Sequence, residues 1–161
     1  MAHGAREHRY AVEVVWTGNR GEGTTGYRAF DRNHEIRVEG KPTLTGSADP
    51  AFRGDPTHWN PEDLLVSSLS ECHMLWFLHL AAVNGVVVTD YRDTATGTMA
   101  VSRDGDGQFT EVTLHPRVTV RDADMVTKVE KLHTEANAKC FIARSVNFPV
   151  HHAPETLVAP G

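Results

Sequence analysis

A chain of 161 residues that is 40% hydrophobic, 23% charged and 7% aromatic has the composition of a globular protein with enough apolar material for one core, which excludes disorder as its default state. Sixteen Lys and Arg against 21 Asp and Glu give a formal charge of −5, and no basic run offsets it, so nucleic acid and anionic membrane surfaces are not expected partners. Two cysteines, Cys72 and Cys140, are too few for a disulfide-stapled secreted scaffold or a Cys-rich zinc module.

The first nine residues lack the apolar core of a signal peptide, and no later stretch reaches the roughly 18 consecutive apolar residues of a membrane span. A cytoplasmic protein with reduced thiols is expected. Tyr10, Val12, Val14 and Trp16 alternate, and the turn-rich Gly18–Gly23 leads to Thr24–Ala29, which predicts an N-terminal β-hairpin. Short extended pieces are expected at Glu35–Val38 and Pro42–Thr45, followed by a loop over Gly46–Trp59, rich in Asp, Pro and Gly, of the length that often carries function.

Asn60-Pro61-Glu62-Asp63 is a helix start, with Asn at the N-cap, Pro at the first position and acids facing the positive end of the dipole. The helix runs to Val83 before Gly85, and from Cys72 onward it is apolar on nearly every face, so it must be enclosed by the fold or by another subunit. Strands are expected at Val86–Tyr91, Thr94–Ser102, Phe109–Leu114 and Arg117–Val120, with Asp104–Gly107 as a hairpin turn and His115-Pro116 as an interruption. Asp122 is expected to cap a second helix reaching about Ala143, with Cys140 on its apolar stripe, and Ser145–Val150 a closing strand. Residues 1–9 and 151–161 are expected to be flexible termini of a single domain spanning 1–161. Strands, helix, strands, helix, strand in one chain read as α+β with mostly antiparallel sheet.

Each cysteine sits in an apolar helical context, and two readings are open: small buried hydrophobes, or a peroxidatic thiol and its resolving partner brought together by packing two helices. Cys72/His79 and His133/Cys140 are seven-residue pairs that suggest metal ligands, but seven helical residues rise about 10.5 Å and cannot share one ion. His79 and His133 are therefore expected to be packing histidines with hydrogen-bond partners. His151 and His152 could join only an interhelical site.

Asn60-Pro61-Glu62, Cys72 ten residues after Glu62, and Ala138-Lys139-Cys140-Phe141-Ile142 late in a second helix closely resemble the OsmC/Ohr family of osmotically inducible and organic hydroperoxide resistance proteins, over roughly Tyr10–Val150. The resemblance implies mostly antiparallel sheets packed around two central helices in an intertwined homodimer. It implies a thiol peroxidase of organic hydroperoxides in which Cys72 attacks, Cys140 resolves as a disulfide, and a dithiol or lipoyl-type reductant regenerates the pair, with no metal or organic cofactor. It further implies an arginine that activates the thiolate, held by Glu62. Arg53, seven residues before Asn60, is favoured for this role over Arg20 in the hairpin turn. Trp59, Trp76 and Phe77 are candidate walls of an apolar substrate pocket.

On one straight helix Glu62 and Cys72 lie about 15 Å apart, so the Arg–Glu–Cys grouping requires either a break near Ser67–Ser70 or a contribution from the partner subunit. Glu71 and His73 depart from the family's commoner small and aromatic neighbours, and a carboxylate beside the thiolate raises its pKa unless directed away. The alternative function is a redox sensor or small apolar-ligand-binding dimer of the same fold without peroxide turnover.

Overall fold

The computed structural model describes residues 5–161, which form two compact units, one up to Leu64 and one from Leu65 onward. In the first, three short strands, β1 (Glu13–Trp16), β2 (His34–Arg37) and β3 (Leu44–Gly46), make an antiparallel sheet in sequence order. β1 pairs with β2, Val14 opposite Ile36 and Trp16 opposite His34, and not with residues 24–29 as the turn signal suggested. Glycines at Gly21 and Gly23 adopt positive φ, and the Asn19 carboxamide binds the amides of both, which commits this stretch to a loop. Arg20 and Arg32 hold that loop through the carbonyls of Ala29, Arg28, Phe30 and Tyr27. The backbone carbonyls in and beside the expected second strand are thus satisfied locally.

The expected loop before the long helix is present and tightly built. Ser47, fully buried, donates to Asn33 Oδ1 at 3.0 Å and accepts from the Asp55 amide at 3.0 Å, while its own amide bonds the Trp59 carbonyl. A Cβ on Gly54 would lie 1.5 Å from the Ala48 carbonyl oxygen, so only glycine lets these two stretches of backbone touch.

Asn60 caps α1 (Pro61–Val83) as the sequence indicates, its Oδ1 accepting from the Asp63 amide at 2.7 Å. The helix has no break at Ser67–Ser70, and Gly85, at φ 69°, ends it. With 23 residues and a mean hydropathy of 1.3 over its most apolar window, α1 is long and apolar enough to cross a membrane by length and composition. Glu71 in its middle and the burial of Leu69, His73, Phe77, Leu80 and Ala81 fit a helix packed within a protein fold.

In the second unit, β4 (Val88–Asp93) and β5 (Thr96–Val101) run out, and β6 (Gly107–Leu114) and β7 (Pro116–Val120) run back against them as an antiparallel ladder bent between two sheets. The bend falls at His115, where a proline would otherwise interrupt a continuous strand, and Asp93 holds it by accepting from the His115 amide at 2.7 Å and the Ser70 hydroxyl at 2.5 Å. β8 (Val150–His152) adds to β6 and β9 (Glu155–Val158) to β7, both in parallel, so each sheet has three strands and the architecture is α+β with mixed sheets. The C-terminal tail expected to be flexible is therefore strand: Leu157 and Val158 find unpaired edges on β7. Val112, Leu114, Val118 and Val120 alternate inward at period two.

α2 (Val126–Lys139) is shorter than expected at both ends. Asp122 precedes a short 3-10 turn, Ala123–Met125, and makes no side-chain cap; its carboxylate pairs with Arg121 at 2.8 Å. At the other end Cys140 leaves helical geometry, with ψ 115°, and the closing strand expected at Ser145–Val150 is not formed there: a 3-10 turn at Ala143–Ser145 and a run of bends precede β8, which begins only at Val150. The main core packs Phe77, Leu80 and Ala81 of α1 against Val129, Leu132 and Ala136 of α2 and Val118 and Val120 of β7. Gly54→Ala is expected to lower stability by roughly 1–3 kcal/mol in urea denaturation through the Ala48 clash. Gly26→Ala, which meets nothing, leaves it nearly unchanged. Equal midpoints for the two variants contradict this packing.

Candidate functional site

The two cysteines come from different helices and meet at one seam. Cys72 lies in the middle of α1 and is half-buried; Cys140 is the residue on which α2 ends and is buried. Its sulfur accepts from the Ala143 amide at 3.4 Å across the following turn. Burial pushes the Cys140 thiol well above its ordinary value, and the neighbouring Cys72 thiol raises it further. The arrangement has one accessible sulfur beside one sheltered, protonated sulfur.

Aromatic groups frame the seam. Trp76, one turn after Cys72, meets Phe141, the residue after Cys140, edge to face with centroids 5.5 Å apart, and Lys139 Nζ lies 5.6 Å from the Trp76 ring centre. Phe141 is 67% exposed. Leu75, Trp76 and His79 line an apolar recess of about 260 Å³ on this same side of α1. Of the expected pocket walls, Trp76 is here. Phe77 is not: it is fully buried and stacked on His133 at 4.0 Å, and so belongs to the core. Trp59 is an exposed residue of the first unit. His79 is exposed and meets Trp76 edge to face, whereas His133 has the hydrogen-bond partner expected of it, His73.

The charged neighbours of Cys72 both point elsewhere. Helical geometry turns each residue by about 100°. Glu71 thereby joins Ser67, Ser70 and Met74 on another face, lining a cleft of about 470 Å³ with Tyr91 and Asp93. His73 is fully buried in the core. The Tyr91 hydroxyl beneath that cleft is pushed up by burial and then by the Asp93 carboxylate.

The arginine candidates separate clearly. Arg20 is engaged by two carbonyls and lies 3.9 Å from Asp31, so it braces its loop. Arg53 has no ion pair among the described residues and reaches only the Tyr27 ring, at 5.8 Å. It is also the one non-glycine residue described at positive φ, 65°, where it ends the 3-10 turn Pro50–Phe52. An arginine held in that region costs about 1 kcal/mol or more that the surrounding loop must overcome, a strain typical of functional positions. Glu62 carries a buried Oε2 without a hydrogen-bond partner among the described residues. Arg53 and Glu62 make no ion pair, and because α1 is unbroken, Glu62 and Cys72 of one chain stand about 15 Å apart along it. Among the described residues, no group of three or more His, Cys, Asp or Glu is placed to hold a metal ion.

A thiol pair at the junction of two helices, flanked by aromatic rings and carried on bent mixed sheets, defines a two-cysteine α+β protein suited to thiol–disulfide chemistry. The chain belongs to the family of OsmC-like proteins, whose family model matches residues 54–155. Among solved structures it is similar to an OsmC-like protein of unknown function from Vibrio cholerae O1 biovar eltor, at 30% identity and a TM-score of 0.82, covering 92% of this chain and 99% of that one. An organic hydroperoxide resistance protein from Elizabethkingia anophelis shares the fold at 15% identity and a TM-score of 0.66, over 96% of this chain and 100% of that one. One from Legionella pneumophila does so at 17% and 0.65, over 94% and 99%. No curated protein sequence matches the chain.

In reduced protein at about pH 8, Cys72 is expected to react with iodoacetamide at least roughly tenfold faster than Cys140, read by peptide mass spectrometry. Equal rates contradict the sheltered position of Cys140.

Proposed function

We propose that the protein is a thiol-dependent peroxidase of organic hydroperoxides. The observation that carries this reading is the pairing of half-buried Cys72 with buried Cys140 where α1 meets the end of α2. The Cys72 thiolate attacks the distal peroxide oxygen; an S–O bond forms as the O–O bond breaks, and the alkoxide leaves as the alcohol after taking a proton. Cys72 is then a sulfenic acid. The Cys140 sulfur attacks it, hydroxide departs as water with the Cys140 proton, and a Cys72–Cys140 disulfide remains. A dithiol of the lipoyl type returns two electrons and two protons. High pKa suits Cys140 to this order, since it protects the resolving thiol from direct oxidation by peroxide. Trp76 and Phe141 supply an apolar wall for the alkyl group.

Arg53 activates the thiolate and Glu62 orients the guanidinium. The strained, unpaired state of Arg53 and the unpartnered Glu62 oxygen support these roles. The unbroken α1 calls for the thiol that they serve to come from the partner subunit of a homodimer. Exposed apolar side chains support that assembly: Tyr10 at 89% and Val12 ahead of β1, Val14 and Trp16 on β1, and Leu75 and Val83 on α1. We place the protein in the cytoplasm, where a reduced thiol pair is available to peroxide.

Mixing reduced protein with cumene hydroperoxide and dihydrolipoamide is expected to consume peroxide catalytically. Cys72→Ser abolishes turnover, and Cys140→Ser leaves at most a single turnover with this reductant. Disulfide formation without turnover would move the function to redox sensing, and unreactive cysteines would remove the chemistry altogether. Arg53→Gly is expected to lower kcat/KM by about a hundredfold or more while raising stability by about 0.5–1 kcal/mol, because glycine relieves the positive φ. Unchanged activity in that variant removes Arg53 from the site.

A further inference from the structure

Three imidazoles meet in the core of the second unit and have no part in the chemistry above: His73 on α1, His133 on α2 and His152 on β8. The His73 and His133 rings are fully buried, parallel within 1°, and joined by one hydrogen bond of 3.0 Å between His73 Nε2 and His133 Nδ1. A neutral imidazole carries one N–H. Whichever ring donates, the outer nitrogens His73 Nδ1 and His133 Nε2 are one donor and one acceptor, and both are buried without a partner among the described residues. The contact is therefore held between α1 and α2 at the cost of two unsatisfied polar atoms.

We propose that the His73–His133 contact is an acid-sensitive latch: proton uptake by the pair opens the seam between α1 and α2 and parts Cys72 from Cys140. The groups facing the pair do little to accommodate a charge. His152 and Asp93 act on His73, His73 and His152 act on His133, and Glu130 and His151 act on His152. Among the described residues Asp93 is the only acid that favours a proton on His73, and its two oxygens are already bound by Ser70 and the His115 amide. Burial dominates: it holds His73 at about 4 and His133 at about 3, below the ordinary 6.5. The closed seam is thus fully stable above the ordinary value, and it loses stability as the pH falls from there toward these depressed values, because the opened form binds protons that the closed form refuses. Linkage is reciprocal: a Cys72–Cys140 disulfide across the same seam holds the latch shut. The latch does not depend on peroxide turnover.

Reduced protein is pulsed with a dipyridyl disulfide, which exchanges with thiols even in acid, across about pH 7 to pH 4, with label at each cysteine read by mass spectrometry and helix content by circular dichroism. Below about pH 5 the ratio of Cys140 to Cys72 labelling is expected to rise at least about tenfold while the helix signal persists. His73→Leu/His133→Phe, which removes both partners together, is expected to keep Cys140 protected over the same range. Protection that persists to the lowest pH, that is lost only with the helix signal, or that the double variant loses at the parent's pH overturns the proposal. Should the double variant fail to fold, histidine NMR of the unaltered protein decides. Two rings that stay neutral to about pH 5 and titrate only as Cys140 becomes reactive support the latch; ten rings titrating near the ordinary value overturn it.

Discussion

The contact of α1 with α2 is the constraint on which the rest of the structure depends. Cys72 and Cys140 are 68 residues apart in sequence, and neither helix alone gives either thiol a partner. The seam is built from Phe77, Leu80 and Ala81 against Val129, Leu132 and Ala136, closed over by Val118 and Val120 of β7, so apolar burial supplies its stability. At its centre Phe77 stacks on His133, which bonds His73. The direction in which His73 is buried also determines where Cys72 faces, since consecutive helical residues diverge by about 100°. The histidine taken into the core thereby turns the thiol toward Cys140 and Glu71 toward a separate cleft.

That geometry resolves the oddest local feature of the sequence. A thiol between a carboxylate and an imidazole reads as poorly suited to ionise, yet the helix distributes the three side chains to three surroundings. Sequence proximity overstates electrostatic proximity on a helix, where i and i+1 do not face each other. Conversely, the termination of α2 at Cys140 puts its sulfur at a turn, accepting from the Ala143 amide, where backbone adjustment is easier than in mid-helix.

Much of this was legible in the residues. Asn60, Pro61 and Gly85 mark the ends of α1 through capping chemistry that acts locally, and the alternating valines of β6 and β7 mark a half-buried sheet by period alone. What the residues did not reveal depends on non-local pairing. β1 prefers β2 over its nearer neighbour because Asn19, Arg20 and Arg32 satisfy the intervening backbone, and the tail becomes β9 because β7 offers it an edge. The His73–His133 pair left only a faint trace, a histidine on the apolar face of each long helix, and its partnership follows from crossing geometry that no spacing encodes. The absence of a helix break was the decisive structural fact for Arg53 and Glu62, since it moves their thiol to a second subunit in the proposed mechanism.

The proposed redox couple of Cys72 and Cys140 within one chain is tested by treating reduced protein with one equivalent of an organic hydroperoxide and mapping its cysteines by mass spectrometry. Loss of two hydrogens from each chain and a single crosslinked peptide pair joining Cys72 to Cys140 within that chain are expected. A stable sulfenic or sulfinic acid at Cys72 with Cys140 still free, or a disulfide joining two chains, would contradict it.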